Sequence, residues 1–204
     1  MFESVDTDAI VTLEVHNPVA FENAFRCRTV TLSATPLFVD FARKFDEDLS
    51  VVSPDTGGAK RAEMLRETLE AACGRPVGKA FADKHRSAGI VSGDLFVGDV
   101  VGRTALINLI STGGTLLRAA RAARKAGARR VLALVTHGLF MPGAEEVLGD
   151  PAIERLVITD SVPPFRLART ATWDKLEILP TAPLLAETNG RLHDGRALAD
   201  LLVF

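Results

Sequence analysis

Short runs rich in valine, isoleucine and leucine alternate along this chain with longer stretches whose apolar positions recur at helical spacing. The short runs predict strands near 9–15, 50–53, 77–82, 104–108, 130–135, 155–159 and 176–179. Helices are predicted near 18–25, 34–45, 57–72, 114–126, 142–148 and 182–194, with a further one over 195–201. Pro54, the segment from Gly74 to Pro76, Gly127, Pro151 and the Pro163-Pro164 pair fall between these elements, where turns are required. Strand and helix alternating in this way is the pattern of a parallel sheet covered by helices, so the predicted fold class is α/β.

One strand-to-helix junction carries chemistry on its face. In TALINLISTGGT, residues 104–115, an apolar run enters a loop of small residues and then a helix. Gly113 and Gly114 let backbone N–H groups converge, Ser111, Thr112 and Thr115 add hydroxyl donors, and the following helix turns its positive end toward the loop. This is a cradle for a phosphate. A glycine-rich turn with a threonine N-cap would use the same letters. What separates the two readings is company: VVSPDTGGAKRAEML at 51–65 is a second strand, Gly-Gly turn and helix, and ADKHRSAG at 82–89 sets Lys84 and Arg86 between apolar segments.

Together these segments resemble the ribose-phosphate pyrophosphokinase family, the phosphoribosyl pyrophosphate (PRPP) synthetases. The resemblance runs through IVTLEVHNP ending near His16, ATPLFVDFA at 34–42, VVSPDTGGAKRA at 51–62, DKHR at 83–86 and VGDVVGRTALI at 97–107. It continues through LISTGGT at 109–115, THGLF at 136–140, IERLVITDSVPP at 153–164 and APLLAE at 182–187, and so covers nearly the whole chain. It implies a type I phosphoribosyltransferase-like sheet flanked by helices. The implied reaction is transfer of pyrophosphate from ATP to ribose 5-phosphate, giving PRPP and AMP, with Mg²⁺ as cofactor.

The same resemblance implies roles for particular residues. Lys84 and Arg86 match the basic residues of the family's mobile catalytic loop. Ser111, Thr112, Gly113, Gly114 and Thr115 match the loop that holds the 5-phosphate of ribose 5-phosphate. His16 and Asp55 match positions associated with Mg²⁺, although a strand-end histidine bonded to a carbonyl and a helix-capping aspartate would look alike. Thr136 and His137 stand at a strand end as supporting residues, and His193 is expected at the surface.

Two departures from the family bear on activity. The chain opens at Met1, just before the strand that ends near His16, so residues 1–44 are expected to be a remnant of the family's first domain and crossover. Residues 45–204 are then the ribose-5-phosphate-binding domain, and the ATP site is incomplete. The second departure is an acidic pair in the family's strand before the phosphate loop; this chain has Asn108 there and is two residues shorter between its GRT and GGT motifs. Adjacent carboxylates at a strand end can accept bonds from vicinal ribose hydroxyls or hold a Mg²⁺ shell, and asparagine supplies no negative charge. The expectation is weak or absent activity for the chain by itself, with a non-catalytic regulatory or binding subunit of a PRPP synthetase complex as the alternative.

Composition narrows the field further. The chain has 204 residues, of which 47% are hydrophobic and 25% charged, the make-up of a globular domain with a sizeable core. A formal net charge of −2 gives no general attraction to nucleic acid, and the basic run RAARKAGARR at 121–130 reads as a solvated helix face. No apolar run reaches membrane-spanning length and the N-terminus is acidic, so no membrane partner and a cytoplasmic location are expected. Cys27 and Cys73 lack metal or redox spacing and are expected as free thiols. The expected macromolecular partner is a second copy or a full-length synthetase.

Overall fold

The computed structural model describes residues 2–87, 90–111 and 114–202. Nine strands and six α-helices follow one another among these residues. They are β1 (Ala9–Leu13), α1 (Pro18–Asn23), β2 (Arg28–Leu32), α2 (Thr35–Ala42), β3 (Leu49–Ser53), α3 (Ala59–Cys73), β4 (Gly78–Ser87) and β5 (Ile90–Gly98). The second half comprises β6 (Thr104–Ser111), α4 (Gly114–Lys125), β7 (Arg130–His137), α5 (Ala144–Gly149), β8 (Arg155–Thr159), β9 (Leu176–Leu179) and α6 (Ala182–Asp194). No described helix is long and apolar enough to cross a membrane.

A seven-stranded sheet has the order β5-β4-β3-β6-β7-β8-β9, and only the β4–β5 pair is antiparallel. The central strands are buried on both faces, which is why they read as continuous apolar runs. On one face Leu116, Ala119, Ala120 and Ala123 of α4 and Leu148 of α5 pack over Ile107, Val131, Ala133, Val135 and Ile158. On the other, Phe38 and Phe41 of α2 and Leu65 and Leu69 of α3 cover Leu49, Val51, Leu106, Leu132, Leu134 and Val157.

The strand order explains where a ligand would lie. From β3 the chain passes through α3 to β4 on one side, and later enters β6 on the other side of β3, from which α4 leads to β7. β3 and β6 are therefore neighbours whose following helices cover opposite faces, and their C-terminal ends open the crevice at which open α/β sheets bind ligands.

Two strands go beyond the expected set. Arg28–Leu32 pairs in parallel with β1 to form a separate two-stranded sheet, and Ile90–Gly98 pairs with β4 as an antiparallel hairpin arm. The segment carrying Lys84 and Arg86 is thus strand rather than loop, with a register shift between those two residues. Gly98 ends β5 opposite Ala80, at the open end of the hairpin, with φ +132°, and an added Cβ there would lie 2.3 Å from the Lys79 carbonyl oxygen. The helix expected over 195–201 is only a short 3-10 turn at Ala199–Leu201, because Gly195 ends α6 in the left-handed conformation.

The small sheet is fastened by the far end of the chain. Val30 and Leu32 pack with Leu184, Leu198 and Leu201, Leu32 bridges Leu202, and the Ser33 N–H donates to the Leu201 carbonyl at 2.7 Å.

Candidate functional site

The turn after β3 is built by local hydrogen bonding. Asp55 adopts extended backbone, φ −162°, and its Oδ1 accepts from the Gly58 N–H at 2.9 Å, capping the 3-10 turn that leads into α3. Ser53 Oγ donates to the Asp55 carbonyl at 2.7 Å, so strand end and turn are held together. Gly58 is buried, and a Cβ there would meet Ser53 Oγ at 3.2 Å, Arg61 Nη2 at 3.4 Å and Asp55 Oδ1 at 3.5 Å. Only glycine leaves this space open.

The second turn follows β6, the adjacent strand. Ser111 ends β6 paired with His137, and α4 begins at Gly114 with Thr115 in its first turn. No acidic residue stands in that turn, so the positive end of a helix of 12 residues is left uncompensated by its own sequence. Thr112 and Gly113 lie outside the described residues, as do the side chains of Ser111, Lys84 and Arg86. A groove of about 250 Å³ starts at Gly114 and Leu116 and runs along Phe140–Ala144 to Val147 and Leu148.

Two side chains stand by the first turn, Asn108, already marked in the sequence, and Arg61, which the sequence does not single out. Asn108 is 2% exposed, and its Oδ1 has no hydrogen-bond partner among the described residues. It follows Ile107, which pairs with Val52, so Asn108 and Ser53 continue the ladder on the same face of the sheet. Arg61, in the first turn of α3, has a buried Nε with no partner, and no ion pair joins it to Asp55. The sequence signal for Arg61 is a cation three residues beyond a Gly-Gly turn, which also fits any exposed helix start.

A third group of residues links the small sheet to the large one. Glu14, just past β1 and 4% exposed, accepts from the Ala34 N–H at 3.0 Å and from Ser33 Oγ at 3.4 Å. Its other oxygen accepts from Thr136 Oγ1 at 2.7 Å. His137 contacts the Glu14 carbonyl through Nε2 and Ser161 Oγ through Nδ1, both at 2.8 Å, so one ring nitrogen donates to the carbonyl and the other can accept from the serine. Thr136 and His137 therefore hold the end of β7, where His137 pairs with Ser111 of β6, while His193 is exposed.

Mg²⁺ takes hard oxygen ligands, chiefly carboxylates and waters. Of the two residues expected to hold it, Asp55 has one oxygen engaged in capping and His16 is an exposed imidazole on a different element. Asn108 is neutral, and among the described residues no group of three or more His, Cys, Asp or Glu side chains is placed to hold a metal. These residues do not fit a metal shell built by the protein alone. Cys27 and Cys73 are free thiols.

Residues 92–203, more than half of the chain, match the family model described as the phosphoribosyl synthetase-associated domain. A ribose-phosphate pyrophosphokinase from Parasynechococcus marenigrum is 33% identical over 95% of this chain and 57% of its own length. A putative ribose-phosphate pyrophosphokinase 2 from Lactococcus lactis is 34% identical over 98% of this chain and 61% of its own length. The crystal structure of phosphoribosylpyrophosphate synthetase from Mycobacterium smegmatis superposes with a TM-score of 0.77 at 29% identity, covering 95% of this chain and 61% of that one. The chain thus spans about three-fifths of the length of the relatives it matches. With β3 and β6 side by side at the switch point of a mainly parallel sheet, this chain belongs to the PRPP synthetase family.

Proposed function

We propose that this chain binds ribose 5-phosphate at Ser111, Thr112, Gly113, Gly114 and Thr115, and that alone it transfers pyrophosphate from ATP weakly or not at all. The observation that carries the reading is the adjacency of the β3 and β6 turns, with the N-terminus of α4 at the second of them. In the relatives' reaction the 1-hydroxyl of ribose 5-phosphate attacks the β-phosphorus of ATP. The bond from that phosphorus to the oxygen bridging it to the α-phosphorus breaks, the hydroxyl proton is lost, and AMP departs. Protein groups in such a reaction position the phosphates and stabilise charge.

Lys84 and Arg86 lie on β4, the strand beside β3, and in this reading supply positive charge over the transferring group. Mg²⁺ would travel on the nucleotide phosphates, with Asp55 and His16 as its nearest protein partners rather than as a complete shell. Residues 1–44 are taken as the end of a first domain and 45–204 as the sugar-phosphate domain. A phosphorus NMR titration with ribose 5-phosphate, followed by ATP and Mg²⁺, tests the reading. A shifted 5-phosphate resonance with little AMP or PRPP is expected, and rapid product formation or an unmoved resonance overturns it.

A non-catalytic subunit is the second reading, and the small sheet favours it. β1 and β2 form a sheet of only two strands, and Phe2, Val5 and Val19 around it are exposed. Association with a second copy or with a full-length synthetase would cover that surface, and co-purification with such a partner tests it.

A further inference from the structure

We infer that Glu14 is a positioning residue for the cradle between β6 and α4: through Thr136 and His137 it sets the end of β7, the strand against which the last residues of β6 are aligned. The inference rests on the proposed sugar-phosphate reading and gives residues 1–44 a part in it, exerted through β7 rather than by contact with the ligand.

The strand registers leave the end of β6 in need of such a brace. Registered pairing of β6 with β3 ends where Val52 meets Ile107, but its pairing with β7 runs on to Ser111 opposite His137. Beyond Asn108, therefore, β6 approaches the cradle aligned by β7. β7 has by then outrun its own outer neighbour, because its pairing with β8 ends where Val135 meets Ile158. Side chains hold Thr136 and His137 instead. Thr159 Oγ1 donates to the Thr136 carbonyl at 2.7 Å, and Ser161 Oγ lies 2.8 Å from His137 Nδ1.

Glu14 supplies the hold from the small sheet. Its Oε2 accepts from Thr136 Oγ1 at 2.7 Å, and its backbone carbonyl accepts from His137 Nε2 at 2.8 Å. The glutamate is itself anchored. Its N–H donates to the Leu32 carbonyl at 2.9 Å, and its Oε1 accepts from the Ala34 N–H at 3.0 Å, at the positive end of α2. Its φ of +35° lies in the left-handed region, which is unfavourable for glutamate and persists where surrounding contacts over-determine it. A packing contact between two sheets would need neither a buried charge nor a strained backbone. A directional brace uses both: the carboxylate fixes the Thr136 side chain while the turned backbone aims a carbonyl at His137.

The test titrates ribose 5-phosphate into the full chain by calorimetry and reads the Ser111 and His137 amide signals by NMR without ligand. Thr136→Val, which keeps the branched shape and removes the hydroxyl, should weaken ribose 5-phosphate about tenfold and shift both amides. Thr136→Ser should hold affinity within about twofold of wild type. Glu14→Ala should weaken binding by a similar factor, and combined with Thr136→Val by less than the product of the two, since both break one link. Leu69→Ala is the control. Leu69 is fully buried in the last turns of α3, which leads from the end of β3 to the start of β4 and so places it over the far ends of the strands. Its truncation should cost stability and leave the folded chain's affinity within about twofold. Affinity unchanged by Thr136→Val, or weakened equally by Leu69→Ala, overturns the inference and leaves Glu14 a structural residue. Should Glu14→Ala not fold, the two Thr136 variants decide. If ribose 5-phosphate does not bind the wild-type chain, the cradle reading fails, while the Ser111 amide still decides the brace: a shift in Thr136→Val that Thr136→Ser lacks upholds it, and an unmoved signal overturns it.

Discussion

Thr136 Oγ1 donates to Glu14 Oε2 at 2.7 Å across 122 residues of chain, so a buried carboxylate joins the small N-terminal sheet to the C-terminal end of β7. Its other oxygen meets the Ala34 N–H at the start of α2, and each donor would be orphaned if the carboxylate were lost. Glu14→Ala should therefore lower stability by roughly 1–3 kcal/mol. A double-mutant cycle with Thr136→Val, read by urea unfolding, should give a coupling of at least about 0.5 kcal/mol, and strict additivity would dissolve the link.

Acid should loosen the α4–α5 side of the molecule. The Ala152 N–H, at 2.8 Å, and the Arg121 guanidinium, at 2.6 Å, hold the Asp150 carboxyl below its ordinary value. A depressed folded-state pKa means that this contribution is fully present above the ordinary Asp range, near pH 4, and is lost as pH falls through the folded value. Asp150→Asn should reduce stability at pH 7 and flatten the decline between about pH 5 and pH 2, measured by urea midpoints. An unchanged pH profile would show that Asp150 titrates alike in folded and unfolded chains.

Among the described glycines, Gly98 is the one least open to a side chain. Its φ of +132° and the 2.3 Å approach of the Lys79 carbonyl to any Cβ mean that Gly98→Ala must displace the end of β5 from β4. We expect a loss of about 2 kcal/mol or more, with hydrogen exchange accelerated along β4 and β5 first. Uniform acceleration across the sheet would mean that the hairpin does not open separately.

Leu65 is fully buried against the β3 face of the sheet, and truncation there leaves a cavity between α3 and the strands. Leu65→Ala should cost about 2–5 kcal/mol by thermal or denaturant unfolding. A loss under about 1 kcal/mol would indicate that α3 moves in to fill the space.

The elements that build the switch point were legible because each is locally complete. VVSPDTGG carries its own strand, cap and glycine turn, and TALINLISTGGT its own strand and helix start. The strands at Arg28–Leu32 and Ile90–Gly98 were not, since a five-residue run and a glycine-interrupted run become strands only beside partners supplied by β1 and β4. Asp55 was readable as a polar turn residue, and its capping bond to Gly58 is local. Arg61 was not, because the burial of its Nε depends on how α3 sits over the sheet. Glu14 left a fainter trace, a charge at the end of an apolar run, whose partners lie at Ser33, Ala34 and Thr136.

The bridge from Leu32 to Leu202 and the bond from Ser33 to Leu201 give the chain an order of assembly during synthesis. β1 and β2 emerge from the ribosome well before the residues that cover their inner face, Leu184, Leu198 and Leu201. These two strands must wait, half-covered, until that later segment arrives, while the large sheet can consolidate in between. For that interval β1 and β2 are the segment most in need of a holding chaperone, and slowed synthesis ahead of Leu184 would prolong their exposure.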